Sequence, residues 1–392
     1  MKIEQVYNYV NDAQQEVLGE KAITLTNDLS NITDVGSALE DAMGVDAFYG
    51  KIANRIAKML FVDRVYRGRL PKILKDSFEF GSIVGKLQAE LIDAQQDESW
   101  AIINGASYDP FVVNLPVISS KFWNKLDAFE IDVTYPDNQI KMSFTSGDEM
   151  MRFLSMIETQ VNNSMEVKID ALVSACLANF IGGILLDEVK RGTPTPRVVH
   201  LLTEYNTTAG TSHTAASALI DAGFLRYAVA RLLEYKGFVA NYSKLFNVGE
   251  KARHTPADLL HVVVNEVFAS RCKTHLASQT YHEEFVKLPL YEEVSYWLGT
   301  GTSMALADCT KVAGVVEYNT QVGDVITTTK DDIDQDYVIA VMFDNEALGM
   351  LQPARRVRSQ RNEKAEYTNY FNKWQSRYFN DFNEVGVVFC LD

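Results

Sequence analysis

Phe144-Thr145-Ser146-Gly147-Asp148-Glu149 closes a strand-like alternation and opens a helix. Ser146 and Glu149 stand at capping-box spacing, where each side chain can bond the other's free backbone N–H. Asp148 and Glu149 suit the positive end of a helix. Beyond them Leu154, Ile157, Val161, Met165, Ile169, Leu172, Cys176 and Phe180 recur at helical spacing, in one unbroken stripe. No proline interrupts it before about Asp187, and Gly182-Gly183 is expected to loosen only its far end. At ~1.5 Å per residue the helix spans roughly 60 Å. That is several times the length of an ordinary globular helix. Glu158, Asn162, Asn163, Glu166, Lys168 and Asp170 fall inside it, which reads as too polar to cross a membrane. The stripe stands alone and its period drifts closer to ~3.6 than to ~3.5 residues, which argues against a coiled coil. The helix reads as a strut on which strands from distant parts of the chain are laid.

Before the strut, from Tyr66 to Phe144, the periodicity is two. Leu87, Ala89 and Leu91 alternate with Lys86, Gln88 and Glu90. Phe129, Ile131, Val133 and Tyr135 alternate with Glu130, Asp132 and Thr134; Pro136-Asp137-Asn138 turns, and Ile140, Met142 and Phe144 alternate again. Such alternation predicts antiparallel strands with one wet face. An isolated ribbon is marginal in water and exposes its edges, so it needs support, such as another copy of the chain. Residues 2–18 and 46–62 read as helices around a polar loop, Thr26–Gly36, and form an arm rather than a domain with its own core. After the strut, Arg191-Gly192-Thr193-Pro194-Thr195-Pro196 is the main internal break. Leu225, Val229 and Leu232 make a helical stripe, and Leu259–Val264 a short buried strand followed by a helix through Cys272 and Leu276. Tyr337–Phe343 and Val385–Leu391 read as buried strands.

The 392 residues, 47% hydrophobic and 11% aromatic, describe a folded chain of two or three domains. A net charge of −15 argues against a surface built to grip nucleic acid, which needs a basic face to release phosphate counterions. Cys176, Cys272, Cys309 and Cys390 form no CxxC pair, which points to a reducing compartment, and the first residues carry no secretory signal pattern. Gly81-Ser-Ile-Val-Gly85-Lys86 has one residue too few for a phosphate loop, and strand alternation follows it where a helix is required. Asp331-Asp332-Ile-Asp334-Gln-Asp336 lacks the glycine and terminal glutamate of a calcium loop and reads as a solvated acidic turn. Cys272 and His275 have no second ligand pair nearby, and no nucleophile motif occurs, so no catalytic, metal or cofactor residues are expected. Arg355-Arg356-Val-Arg358-Ser-Gln-Arg361 is the one basic cluster. It suits pairing with carboxylates, in the chain or on a neighbour, better than nucleic acid. The tail from Tyr367 to Phe382 is rich in aromatic residues, as at a core edge or an interface.

The order of parts resembles the major capsid protein of tailed bacteriophages, the α+β Hong Kong 97-type fold, and most of all the shorter podophage coat proteins. Phe129–Thr134 and Gln139–Met150 look like the end of that family's extended loop entering its spine helix. Leu288–Gly299 is similar to an axial-domain stretch. Tyr337–Leu348, Tyr367–Phe371 and Phe379–Phe389 resemble its closing strands. The resemblance implies an N-terminal arm (1–65), an extended β-loop (66–145), a spine helix (146–195), an axial domain (196–335) and returning strands of the axial and peripheral domains (336–392). It implies a non-enzymatic protein, without cofactor, that assembles with itself as hexamers and pentamers into an icosahedral head. Its partners would be a separate scaffolding protein, a portal and head decoration proteins, with non-specific contact to packaged DNA and no membrane. Lys72, Lys75, Lys86 and Glu90 of the β-arm, with Arg355, Arg356, Arg358 and Arg361, are the expected inter-subunit contacts. A storage shell of the same fold, an encapsulin, and a cytosolic enzyme built on residues 197–330 are the rival readings.

Overall fold

The computed structural model describes residues 64–68, 70–75, 84–92, 94–101, 103–124, 126–136, 147–277, 291–298, 308–322, 325–351 and 355–392. The helices expected at 2–18 and 46–62, the Ser146 half of the capping box, and the alternation through Ile140, Met142 and Phe144 lie outside them. The chain forms two compact units. One holds Met1–Val65, Tyr135–Val161 and Arg361–Thr368; the other holds Tyr66–Thr134, Asn162–Gln360 and Asn369–Asp392.

The elements begin with β1 (Leu74–Lys75), β2 (Val84–Ala89), β3 (Ile118–Trp123) and β4 (Leu126–Pro136), followed by the long helix α1 (Gly147–Arg191). Next come β5 (Val198–His200), α2 (Leu201–Ala209), α3 (Ala215–Ala218), α4 (Ala222–Val239), β6 (Leu260–Asn265), α5 (Glu266–Ala277) and β7 (Glu292–Val294). The chain continues through β8 (Val312–Val322), β9 (Val325–Gln335), β10 (Val338–Asp344), β11 (Leu348–Leu351), β12 (Arg356–Asn362), β13 (Tyr367–Asn380) and β14 (Gly386–Cys390).

The core is a mixed sheet in the order β5-β14-β10-β6-β7. Its strands are apolar on both faces because both faces are covered. Val199, Val262, Val264, Met342, Val387 and Phe389 meet α2, α4 and α5. Val198, Val263, Val341, Phe343, Val388 and Cys390 point the other way, with Ile169, Leu177, Phe180, Ile181 and Ile184 of α1. In β10 the register against β14 shifts between Val338 and Ala340. That bulge lets the neighbouring residues Ile339 and Ala340 both join the face that meets α2, α4 and α5. Asp221 caps α4 by accepting the Phe224 N–H at 2.7 Å.

Helix α1 runs through its two glycines without a break to Arg191. Gly182 and Gly183 make room rather than slack. A Cβ at Gly182 would stand 2.7 Å from Val316 of β8, and one at Gly183 would stand 2.4 Å from the Phe382 ring. The polar residues of α1 are used as well. Asn163 accepts the Tyr66 N–H at 2.8 Å, and Asp170 accepts the Tyr66 hydroxyl at 2.7 Å. One sequence expectation needs correction: Ser155–Arg191 contains a window long and apolar enough to cross a membrane, by length and composition. Of that window 72% is buried inside the molecule, which is what the central helix of a folded domain requires.

A second sheet runs β1-β11-β13-β12, with β4 also paired to β13. Among the described residues two separate ribbons complete the list, β2 with β3 and β8 with β9. The eleven cross-strand pairs of β8 and β9 run from Val312↔Gln335 to Val322↔Val325. Asp331, Asp332 and Asp334 therefore lie on a strand, where an acidic turn was expected. Asp331 pairs with Lys190 at 2.6 Å and Asp334 with Lys311 at 2.7 Å.

Candidate assembly surface

The β2–β3 ribbon shows how this chain divides its surface. Alternation of Leu87 with Lys86 and Gln88 suggests that the leucine faces inward. The structure has it reversed, and Lys86 and Gln88 are the residues turned toward the body. Lys86 Nζ donates to Glu384 at 2.7 Å and lies 3.2 Å from an Asp381 oxygen. Lys121 of β3 donates to the other Asp381 oxygen at 2.6 Å. Gln88 bonds Glu384 and accepts from Arg253 at 3.0 Å, and Glu90 accepts from Lys251 at 2.6 Å. Burial opposes charge on Asp381, but the Lys121 bond and the lysine charges outweigh it and hold the carboxyl below its usual range. Burial likewise opposes charge on Lys86, and the Glu384 and Asp381 contacts reverse it, raising the amine.

The opposite face of the ribbon is apolar and open to solvent. Leu87 is 74% exposed and Phe122 69%, with Leu91 and Ile118 also exposed. Beyond the paired strands the connecting segment adds Trp100 (86%), Phe111, Val112, Val113 and Leu115. Scattered apolar residues are ordinary on a surface, but a continuous series along one ribbon is not.

The expected contact residues separate into two groups. Lys72 pairs with Glu292 at 3.2 Å, Lys75 donates to the Asn345 carbonyl at 2.7 Å, and Lys86 and Glu90 hold the ribbon's root as described. Burial lowers the Lys75 amine below its ordinary value. Arg355 donates to the Asn372 and Asn162 side chains, at 3.2 and 2.7 Å, so its partners among the described residues are amides. Arg361 lies 3.4 Å from Glu363. Arg356 and Arg358 are exposed on β12 and make no ion pair among the described residues.

The chemical candidates fare differently. Gly85 and Lys86 sit in a strand, and the amine faces carboxylates, not a helix N-terminus. Cys272 is buried in α5, where loss of solvent pushes its thiol up to about 12. Among the described residues no three His, Cys, Asp or Glu side chains are grouped as metal ligands would be. Sequence reasoning missed Lys121, Arg253, Asp381 and Glu384 as a unit. The available signal was two carboxylates, Asp381 and Glu384, set immediately before an entirely apolar closing strand. It also missed the β8–β9 hairpin, which Gly323-Asp324 between two valine-bearing runs could have marked.

A long central helix laid under a mixed sheet, with a separate strand pair anchored on the body, defines the Hong Kong 97-type capsid fold. Solved structures bear this out. The chain is similar to one described as the capsid structure of Staphylococcus phage Andhra, at a TM-score of 0.52 and 10% identity over 86% of this chain and 87% of that one. It is similar to another described as the capsid structure of the Cyanophage P-SCSP1u, at 0.51 and 12% identity over 85% and 91%. No curated protein sequence matches it. The model of the Phi29-like phage major capsid protein family matches residues 10–389, and the chain belongs to that family.

Proposed function

We propose that this major capsid protein assembles with itself, as hexamers and pentamers, into an icosahedral phage head around double-stranded DNA. The observation that carries the proposal is the inverted ribbon. Its polar face is used up on the chain's own body, so the apolar face from Leu87 to Leu115 is left for a neighbouring copy to cover. Burying such a face contributes roughly 25 cal/mol per Å², and many modest contacts add up around a closed shell. In this reading residues 1–65 form an arm, 66–145 the extended loop, 146–195 the spine, 196–335 the axial domain and 336–392 returning strands. Lys72, Lys75, Lys86 and Glu90 fix the loop's root, while Arg356 and Arg358 meet neighbours. A separate scaffolding protein, a portal and decoration proteins complete the head, which assembles in the host cytoplasm. No catalytic step belongs to this role.

Electron microscopy of the expressed protein, alone and with a co-expressed scaffolding candidate, tests the reading. Closed shells of uniform size are expected. Leu87→Ser with Phe122→Ser should leave the melting temperature of the subunit unchanged and abolish the shells. A protein that stays monomeric in both preparations overturns the proposal.

A further inference from the structure

Strand β13 carries a charged strand on each edge of its first half. On one edge lies β4: Thr134 bonds Asn369 at 2.7 Å, and Asn372 donates to the Ile131 carbonyl at 3.1 Å. On the other lies β12, which turns back directly into β13. A stretch of strand has only two edges, so β4 and β12 flank it and, among the described residues, form opposite rims.

The rims have opposite charge. On β4, Glu130 and Asp132 are exposed two residues apart on one face. Lys373 of β13 reaches Glu130 at 3.1 Å and, among the described residues, is the one cation set against the two acids. Asp132 remains in surplus: partial loss of solvent and the neighbouring Glu130 raise its carboxyl above the ordinary value, and Lys373 only partly offsets them. On β12, Arg356 and Arg358 are also exposed and two residues apart, with no ion pair among the described residues. Residues i and i+2 of a strand lie about 6.6 Å apart, so the two arginines and the two carboxylates repeat at the same spacing. Charge on an edge strand ordinarily repels further strands. An edge of opposite sign on the same sheet changes the outcome, because it admits one neighbour in one orientation and refuses the rest.

We propose that Arg356 and Arg358 on β12 of one copy pair with Glu130 and Asp132 on β4 of the next. The inference rests on the shell reading and names a contact within it. The contact is head-to-tail, so each copy offers one rim and receives the other, as a closed ring of subunits requires. Arginine suits the contact because its planar fork grips a carboxylate with two bonds.

Charge reversal tests the pairing. Arg356→Glu with Arg358→Glu, or Glu130→Lys with Asp132→Lys, puts like charges together at every such contact. Each reversal alone should cut the fraction sedimenting as shells by roughly tenfold or more, since like-charge contacts cost several kcal/mol. The four substitutions together should restore it. All four sites are exposed, so circular dichroism melting of each variant should match the unaltered subunit. Shells forming equally well from singly reversed chains overturn the pairing alone and leave the shell reading intact. So does failure of the combined reversal to restore them in a folded subunit, and so does a loss confined to retained DNA. An unaltered protein that never leaves the monomer overturns both.

Discussion

Asp381 is fully buried and still charged, because Lys121 and Lys86 both reach it. Removing one member of a buried ion cluster leaves its partners uncompensated, which costs about 3–5 kcal/mol. Asp381→Ala should therefore lower subunit stability by that order in urea denaturation followed by tryptophan fluorescence. The Asp381 carboxyl is held low, so its contribution is present above the unfolded value, near 3.8, and is lost as pH falls through the folded one. His200 behaves oppositely. Its Nδ1 lies 2.9 Å from Asp392 and its Nε2 2.6 Å from Glu188. The Asp392 bond, opposed by burial and assisted by Glu188, raises the imidazole from 6.5 to about 9. A raised folded value means stability that is complete below pH 6.5 and disappears as pH climbs through about 9. The melting temperature should thus fall further between pH 6.5 and 9 in the unaltered protein than in His200→Gln. Equal slopes in the two proteins would remove His200 from the account.

Among the elements, α1 supplies the sharpest contrast between intrinsic preference and packing. Alanine normally improves a helix over glycine by about 0.8–1 kcal/mol. At Gly237 in α4 nothing lies within 4 Å of an added Cβ, so Gly237→Ala should raise stability by about that amount. At Gly183 the Cβ would strike the Phe382 ring, which is stacked on Phe180 at 5.5 Å between centroids, so the stack would have to shift. Overpacking of this kind costs about 1–3 kcal/mol, so Gly183→Ala should destabilise despite the better helix former. Thermal melts of the two variants, with shifts of opposite sign, check both. The contrast also shows where the sequence is readable. Helix α1, β6, β10 and β14 were legible because each satisfies its own pattern: a helical stripe, or a run with no polar face because both faces are covered. The ribbon's direction was not legible. Leucine opposite lysine reads as leucine inward unless one knows that Glu384, 298 positions after Lys86, waits on the body. The acidic run of β9 failed for a related reason, since charged residues along one wet strand face resemble a turn until Lys190 and Lys311 are placed beside them.

For the whole molecule, the net charge of −15 sets how copies approach one another. Like-charged bodies repel over the Debye length, about 30 Å at 0.01 M salt and about 8 Å at 0.15 M. The attraction proposed here is of another range: ion pairs at touching strand edges and an apolar ribbon face, both effective only on contact. Salt therefore removes the long-range repulsion first and weakens short pairs less, while leaving apolar burial in place. Light scattering should show shell formation rising as ionic strength increases from about 0.01 to about 0.15 M, the interval over which the Debye length falls most in absolute terms. Near 1 M salt the Debye length is about 3 Å, and pairs between exposed groups are themselves screened. There the doubly reversed β12 variant should lose most of its disadvantage against the unaltered chain, because the penalty it carries is coulombic. A disadvantage that persists undiminished in high salt would mean that Arg356 and Arg358 act through packing rather than charge.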